Sequence, residues 1–262
     1  MIRTRIATIL FALCSMVSAL SAADRKLVIG MDATYPPFET VNAQGEFTGV
    51  SVDLGRELAK QLGREVEFRN INFDGLITAL KTGSIDLIIS SMTANDERRK
   101  SIDFSEPYVK TGIALLASTK SPVQNLDDLK KAGSRVVVRL GTSGEQFARS
   151  SLPDAKLISL DSDTACVMEV AKGGADAWIY DQLSLMNHHA KHPDTTRVLL
   201  KPLREEVWAI GFKKGNDELR KQVNSFLAKF RAEGGFKKLG EKHLAKEKKQ
   251  MEEQGIPFVF DL

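Results

Sequence analysis

The sequence predicts an α/β fold of two lobes, each a largely parallel sheet packed with helices, joined by two crossover strands. Three observations predict it. Strand-like and helix-like runs alternate through most of the chain, as they do where helices pack on parallel sheet. The alternation restarts after residue 134, and Ala171–Asp181 (AKGGADAWIYD) repeats the plan of Leu80–Ser90 (LKTGSIDLIIS): a helix end with Lys and Gly, an Asp, then an apolar strand. Two extended apolar runs, Thr111–Ser118 and Glu206–Lys214, lie between the halves. Reading them as crossovers builds the first lobe from 24–112 and 208–262 and the second from 113–207.

Each element follows from local pattern. Lys26–Met31 is a short apolar run that stops at Asp32 and a Tyr-Pro-Pro loop, as a buried strand does. In Val52–Leu62 the leucines at 54, 58 and 62 fall on one helix face, and Gly63 ends it. Val66–Ile71 is strand-like, Leu76–Leu80 a short helix stopped near Gly83, and Ile85–Ser90 a buried strand. After a charged helix start at Asp96, a further strand signal closes on Pro107. The second half offers a β-branched strand at Arg135–Leu140, a Gly-Thr-Ser-Gly turn and a helix at Glu145–Ser151. Asp217–Arg231 is a clear amphipathic helix followed by two glycines. Lys246–Glu253 reads as a solvated helix or frayed tail, and the apolar end Ile256–Leu262 reads as docked on the body.

The N-terminus sets the compartment. Arg3 and Arg5 precede an apolar run from Ile6 to Leu20, and Ser21-Ala22-Ala23 follows as a small-residue cleavage pattern. The run is too short and too interrupted for a membrane span. A cleaved signal peptide over 1–23 is expected, with the mature protein exported. Leu13 before Cys14 makes a poor lipobox. Cleavage removes two arginines and no acids, leaving 35 basic residues against 34 acidic ones, where the whole chain has 37. No charge excess then points to nucleic acid or a membrane surface. Cys166 is left alone, so no internal disulfide forms, and it is expected as a small buried apolar residue.

The residues with chemical potential cluster at strand ends. Gly83–Tyr108 (GSIDLIISSMTANDERRKSIDFSEPY) places Ser90, Ser91, Thr93 and Arg98 around one loop. Hydroxyls, backbone groups and a guanidinium there can clamp a small carboxylate, whose two oxygens match the planar fork of Arg. Without context, Arg98 is a charge on a solvated helix face. Thr142 and Ser143 sit in the turn at a helix start, where free backbone N–H groups and the helix dipole favour an anion. Asp181 ends a strand, where a helix N-cap is the ordinary role. Asp32, Tyr35, Phe73 and Arg139 are candidates for a side-chain pocket, although aromatic residues such as Tyr35 and Phe73 are more often plain core. His188, His189 and His192 read as a solvated loop, and no metal or cofactor signature accompanies them.

These segments resemble the periplasmic solute-binding proteins for polar amino acids, bacterial solute-binding protein family 3. The likeness runs from Lys26 to about Leu116 through YPPFE (35–39), NFDGLITAL (72–80), the Ser91-x-Thr93-x₄-Arg98 pattern and DFSEPY (103–108). The resemblance implies a type II periplasmic binding fold of two Rossmann-like lobes with a ligand cleft between them, and a periplasmic monomer that delivers an L-amino acid to an ABC-transporter permease. It implies that Arg98 and Thr93 hold the ligand α-carboxylate, joined across the cleft by Thr142 and Ser143. Asp181 then pairs with the α-ammonium, Tyr35 and Phe73 flank the ligand side chain, and Asp32 and Arg139 tune specificity. Arg139 argues against a cationic ligand and for a neutral polar or acidic one, or it pairs with Asp32 on closure. An enzyme on the same scaffold, a cyclohexadienyl dehydratase, is the rival. It needs a general acid, for which Asp32, Asp181 and Glu145 are the candidates.

Overall fold

A computed structural model describes residues 26–262; the expected signal peptide and Cys14 fall outside the described residues. The first half runs β1 (Leu27–Met31), β2 (Thr34–Tyr35), β3 (Glu39–Val41), β4 (Phe47–Thr48), α1 (Val50–Gln61), β5 (Val66–Asn70), α2 (Leu76–Thr82), β6 (Leu87–Ile88) and the single-turn α3 (Asp96–Arg99). A long strand, β7 (Ile102–Ser118), leads into β8 (Arg135–Arg139), α4 (Ser143–Ser151), β9 (Lys156–Leu160), α5 (Asp163–Ala171), β10 (Ala177–Asp181) and α6 (Gln182–Lys191). A second long strand, β11 (Thr196–Lys213), returns to the first half, where α7 (Asp217–Ala232), α8 (Gly235–His243) and α9 (Ala245–Glu253) close the chain.

The large sheet has the order β5-β1-β6-β11-β7-β10-β8-β9. At one end β1 pairs parallel with β5 and β6, and at the other β8 pairs parallel with β9 and β10. Between them β7 and β11 run antiparallel to each other and bind the two parallel groups into one sheet. The crossovers are therefore longer than the apolar runs that predict them, 17 and 18 residues. Pro107 does not close β7. It pairs with Ala209 between two register shifts of β11, and an irregular ladder tolerates a residue with no N–H.

Packing follows the apolar faces. Leu54 and Leu58 of α1 are fully buried in a core shared with Leu27, Ile29 and Met31 of β1. Val136, Val138, Ile179 and Ala148 form a second cluster around the far parallel group. Gly49 opens α1 at φ +121, and a Cβ there would lie 2.3 Å from the Phe38 carbonyl oxygen, so only glycine fits. Cys166 is fully buried on α5, and burial pushes its thiol pKa up, as an inert apolar residue requires. The C-terminal end docks: Lys110 N donates to Val259 O at 2.9 Å, and the Phe236 and Phe260 rings lie 5.2 Å apart. Residues 245–253 are helical, with Glu247 and Met251 turned inward.

Candidate functional site

The site forms where strand ends of both parallel groups meet. β6 runs into Ser90 and Ser91, the latter in a left-handed conformation at φ 48. Ser90 Oγ accepts from Asp32 N at 2.9 Å and so fixes the loop after β1 against the loop after β6. Asn95 caps α3 by accepting from Arg98 N, which turns the Arg98 side chain inward. The Arg98 residue is 4% exposed. Its guanidinium donates to Thr93 O at 2.8 Å and to Gly141 O at 3.0 Å, and its carbon sits 5.3 Å from the centre of the Phe73 ring. Burial lowers its pKa to about 10, partly offset by Glu206, and it stays charged at neutral pH. Among the described residues it has no ion-pair partner.

From the second half, Gly141 at φ +76 turns the chain after β8, and Thr142 caps α4. Asp181 ends β10 and caps α6, its Oδ1 accepting from Ser184 N at 2.9 Å. Capping and facing the cavity are thus compatible roles. Asp181 is 7% exposed, and burial raises its carboxyl pKa to about 6. It too has no ion-pair partner among the described residues.

All eleven predicted residues line one cavity of about 40 Å³. Glu39, Tyr180, Glu206 and Trp208 join them, and the sequence reading omits all four as site residues. Glu39 stands in the quoted YPPFE segment and Tyr180 directly before Asp181, so both had a local signal. Glu206 and Trp208 belong to β11 and carried none. Tyr35 packs in a box of rings, 5.9 Å from Trp208 and 6.3 Å from Tyr180, centre to centre.

The two halves touch across this cavity. Thr93 Oγ1 and Ser143 Oγ both donate to Glu206 Oε2, each at 2.7 Å, while Arg204 donates to the other oxygen at 2.6 Å. Asn95 Nδ2 donates to Gln146 Oε1 at 2.7 Å. Arg139, 4% exposed, bridges two carboxylates: Nη2 donates to Asp32 Oδ2 at 2.5 Å and Nη1 to Asp163 Oδ1 at 3.0 Å. The closure pair with Asp32 is therefore present, and Asp163 is a second partner that the sequence reading did not foresee. Asp32 also accepts from Phe73 N at 3.1 Å.

Glu39 is a buried carboxyl that accepts from Ser51 Oγ at 2.6 Å and Ser91 Oγ at 3.1 Å. Burial outweighs those bonds and raises its pKa to about 8, so it is mostly neutral at pH 7. A carboxyl raised in the folded state stabilises fully below its unfolded pKa, and the benefit is lost as pH rises through the folded value. Glu39→Gln is expected to remove that slope. Between pH 5 and pH 9 the variant should gain on the wild type by on the order of a few kcal/mol. Denaturant midpoints at the two pH values check this, and parallel changes in both proteins would contradict it.

His188 and His189 lie on α6 rather than in a loop, and His192 follows its last residue. The half-buried His188 ring packs 5.3 Å from Trp178, a contact that accounts for its position without a ligand role. No group of three or more His, Cys, Asp or Glu among the described residues is placed to hold a metal ion. Of the acids available to an enzyme, Asp32 is ion-paired and Glu145 lies outside the cavity lining. Burial opposes ionisation of Glu145, but hydrogen bonds from Gly141 N, Arg149 and Ser159 outweigh it and hold the carboxyl below its ordinary range. No described helix is long and apolar enough to cross a membrane.

Comparison with known proteins places this architecture. Residues 27–246 match the bacterial extracellular solute-binding proteins, family 3, and the chain belongs to that family. The L-cystine-binding protein TcyJ of Escherichia coli is 33% identical over 218 residues, 82% of this chain and 81% of that protein. The L-arginine-binding protein of Pseudomonas aeruginosa is 32% identical over 240 residues, 86% of this chain and 90% of that one. Among solved structures, an ancestral arginine-binding protein bound to arginine has a TM-score of 0.77 at 33% identity, covering 84% of this chain and 98% of its own. An ancestral amino-acid-binding protein, a precursor of cyclohexadienyl dehydratase, has a TM-score of 0.76 at 34% identity, covering 87% and 98%. The curated relatives are binding proteins, and this chain is a solute-binding protein, not an enzyme.

Proposed function

We propose that the cavity captures the zwitterionic head of an L-α-amino acid and that the closed protein presents it to the permease of an ABC importer. One observation carries the reading. Arg98 and Asp181 line the same cavity, are both buried, carry opposite charges, and form no ion pair with any described residue. Isolated buried charges are expensive, and a ligand bearing both a carboxylate and an ammonium compensates the two together. Arg98 would hold the carboxylate, with the N–H groups that open α4 as further donors and with Thr93 and Ser143 joining them where their hydroxyls turn from Glu206 to the ligand. Asp181 would hold the ammonium. Ser90, Ser91 and Thr142 shape the loops that carry these groups, and Tyr35 and Phe73 would wall the ligand side chain.

Capture would proceed by hinge closure of lobes divided near residues 112/113 and 207/208. Two features support that division. β7 begins to pair with β10 at Ile113, and the ladder between β7 and β11 shifts register between Trp208 and Ala209. Closure would exclude water and strengthen every charged contact inside. The protein would act as a periplasmic monomer after loss of residues 1–23. A thermal-shift screen against the free amino acids tests the proposal. A ligand at 100 times its Kd stabilises by roughly 2.7 kcal/mol, a clear shift in Tm. A flat response across all amino acids would contradict it.

A further inference from the structure

We propose that Arg139, clamped between Asp32 and Asp163, is a specificity-determining lock that rejects both cationic and anionic side chains and admits a neutral one bearing a hydrogen-bond acceptor. The proposal rests on the amino-acid reading of the same cavity and names the ligand's side-chain class.

The lock spans the cleft. Asp32 follows β1, whereas Arg139 ends β8 and Asp163 opens α5. The guanidinium fills the space between the two carboxylates, with Tyr180 Oη at 3.3 Å and Thr34 Oγ1 at 3.1 Å as further partners. A ligand ammonium or guanidinium approaching Asp32 would either displace Arg139 or sit beside it, and both place two cations side by side in a buried site. An anionic side chain fares no better, because a single guanidinium would then face three carboxylates. The His188 ring lies beside Asp163, its Nε2 3.9 Å from Asp163 Oδ2, and Asp181 is a further carboxylate of the same cavity.

What the lock leaves over is one donor. Arg139 Nε is buried and has no acceptor among the described residues, and Arg139 lines the cavity. A buried donor without an acceptor is destabilising, so a hydroxyl or amide oxygen on the ligand side chain has a defined partner there. An apolar side chain has none.

The test is calorimetric titration of wild type, Arg139→Leu and Arg139→Gln with serine, threonine, asparagine, glutamine, aspartate, glutamate, arginine and lysine. Wild type is expected to bind one of the first four at least about 100-fold more tightly than any of the last four. Arg139→Leu exposes Asp32 and Asp163 and is expected to lose that neutral ligand by tenfold or more while gaining tenfold or more for lysine or arginine. Arg139→Gln keeps a polar N–H donor beside the two carboxylates should Leu fail to fold, and it is expected to change the ranking in the same direction. Wild type led by arginine, lysine, aspartate or glutamate overturns the lock and leaves the amino-acid reading standing. So does an unchanged ranking in a folded variant. Wild type that binds no amino acid of any kind overturns both.

Discussion

Arg98→Ala is expected to abolish measurable binding of the cavity's ligand while the protein still folds. The guanidinium is buried, it holds loop carbonyls from both halves, and no carboxylate of the protein pairs with it among the described residues. Truncating one partner of a buried, hydrogen-bonded charge pair typically loses about 2–5 kcal/mol, roughly 30- to 5,000-fold in affinity. Arg98→Lys keeps the charge but not the fork, and is expected to fall between wild type and alanine. Circular dichroism establishes folding and calorimetry reads the affinity. A solvated Arg on α3 would lose nothing, so unchanged affinity would return Arg98 to that ordinary role.

Asp181→Asn is expected to lose affinity on the same scale with less risk to the fold, because asparagine still caps α6. The wild type also makes a pH-dependent prediction. Its carboxyl, raised to about 6 by burial, must be ionised to hold an ammonium. Affinity should be flat above about pH 6 and fall roughly tenfold per unit below it. Stability of the ligand-free protein moves the other way. The contribution from this raised carboxyl is fully present below its unfolded pKa and is lost as pH rises through about 6. Titrations at pH 5 and pH 7 separate the effects, and the Asn variant should show neither. A wild-type affinity equal at both pH values would remove Asp181 from the ligand's ammonium.

Much of this site was legible because its residues sit at strand ends, and strand ends are visible as apolar runs that stop. Ser90, Asp181 and Thr142 were placed by that reasoning, and all of the predicted residues line one cavity. Partners set by tertiary structure were not legible. Asp163 looks in sequence like an ordinary acid in the first turn of α5, complementing the helix dipole. Only the pairing of β8 with β10 and β9 brings Arg139 against it. Glu206 lies in the run Arg204-Glu205-Glu206, where nothing local separates the exposed Glu205 from the buried Glu206. The lengths of β7 and β11 were hidden for the same reason, since polar residues and Pro107 interrupt the apolar signal while the long-range ladder continues.

The central claim is that Arg98 and Asp181 together read an amino-acid zwitterion. It is tested most directly by titrating the protein with the amino acid that binds best, its decarboxylated amine, and its deaminated acid. The three share a side chain and differ only in the head groups. Loss of either head group leaves one buried charge uncompensated, so each analogue is expected to bind at least about 100-fold more weakly. An amine or an acid that binds as well as the parent amino acid would contradict the account.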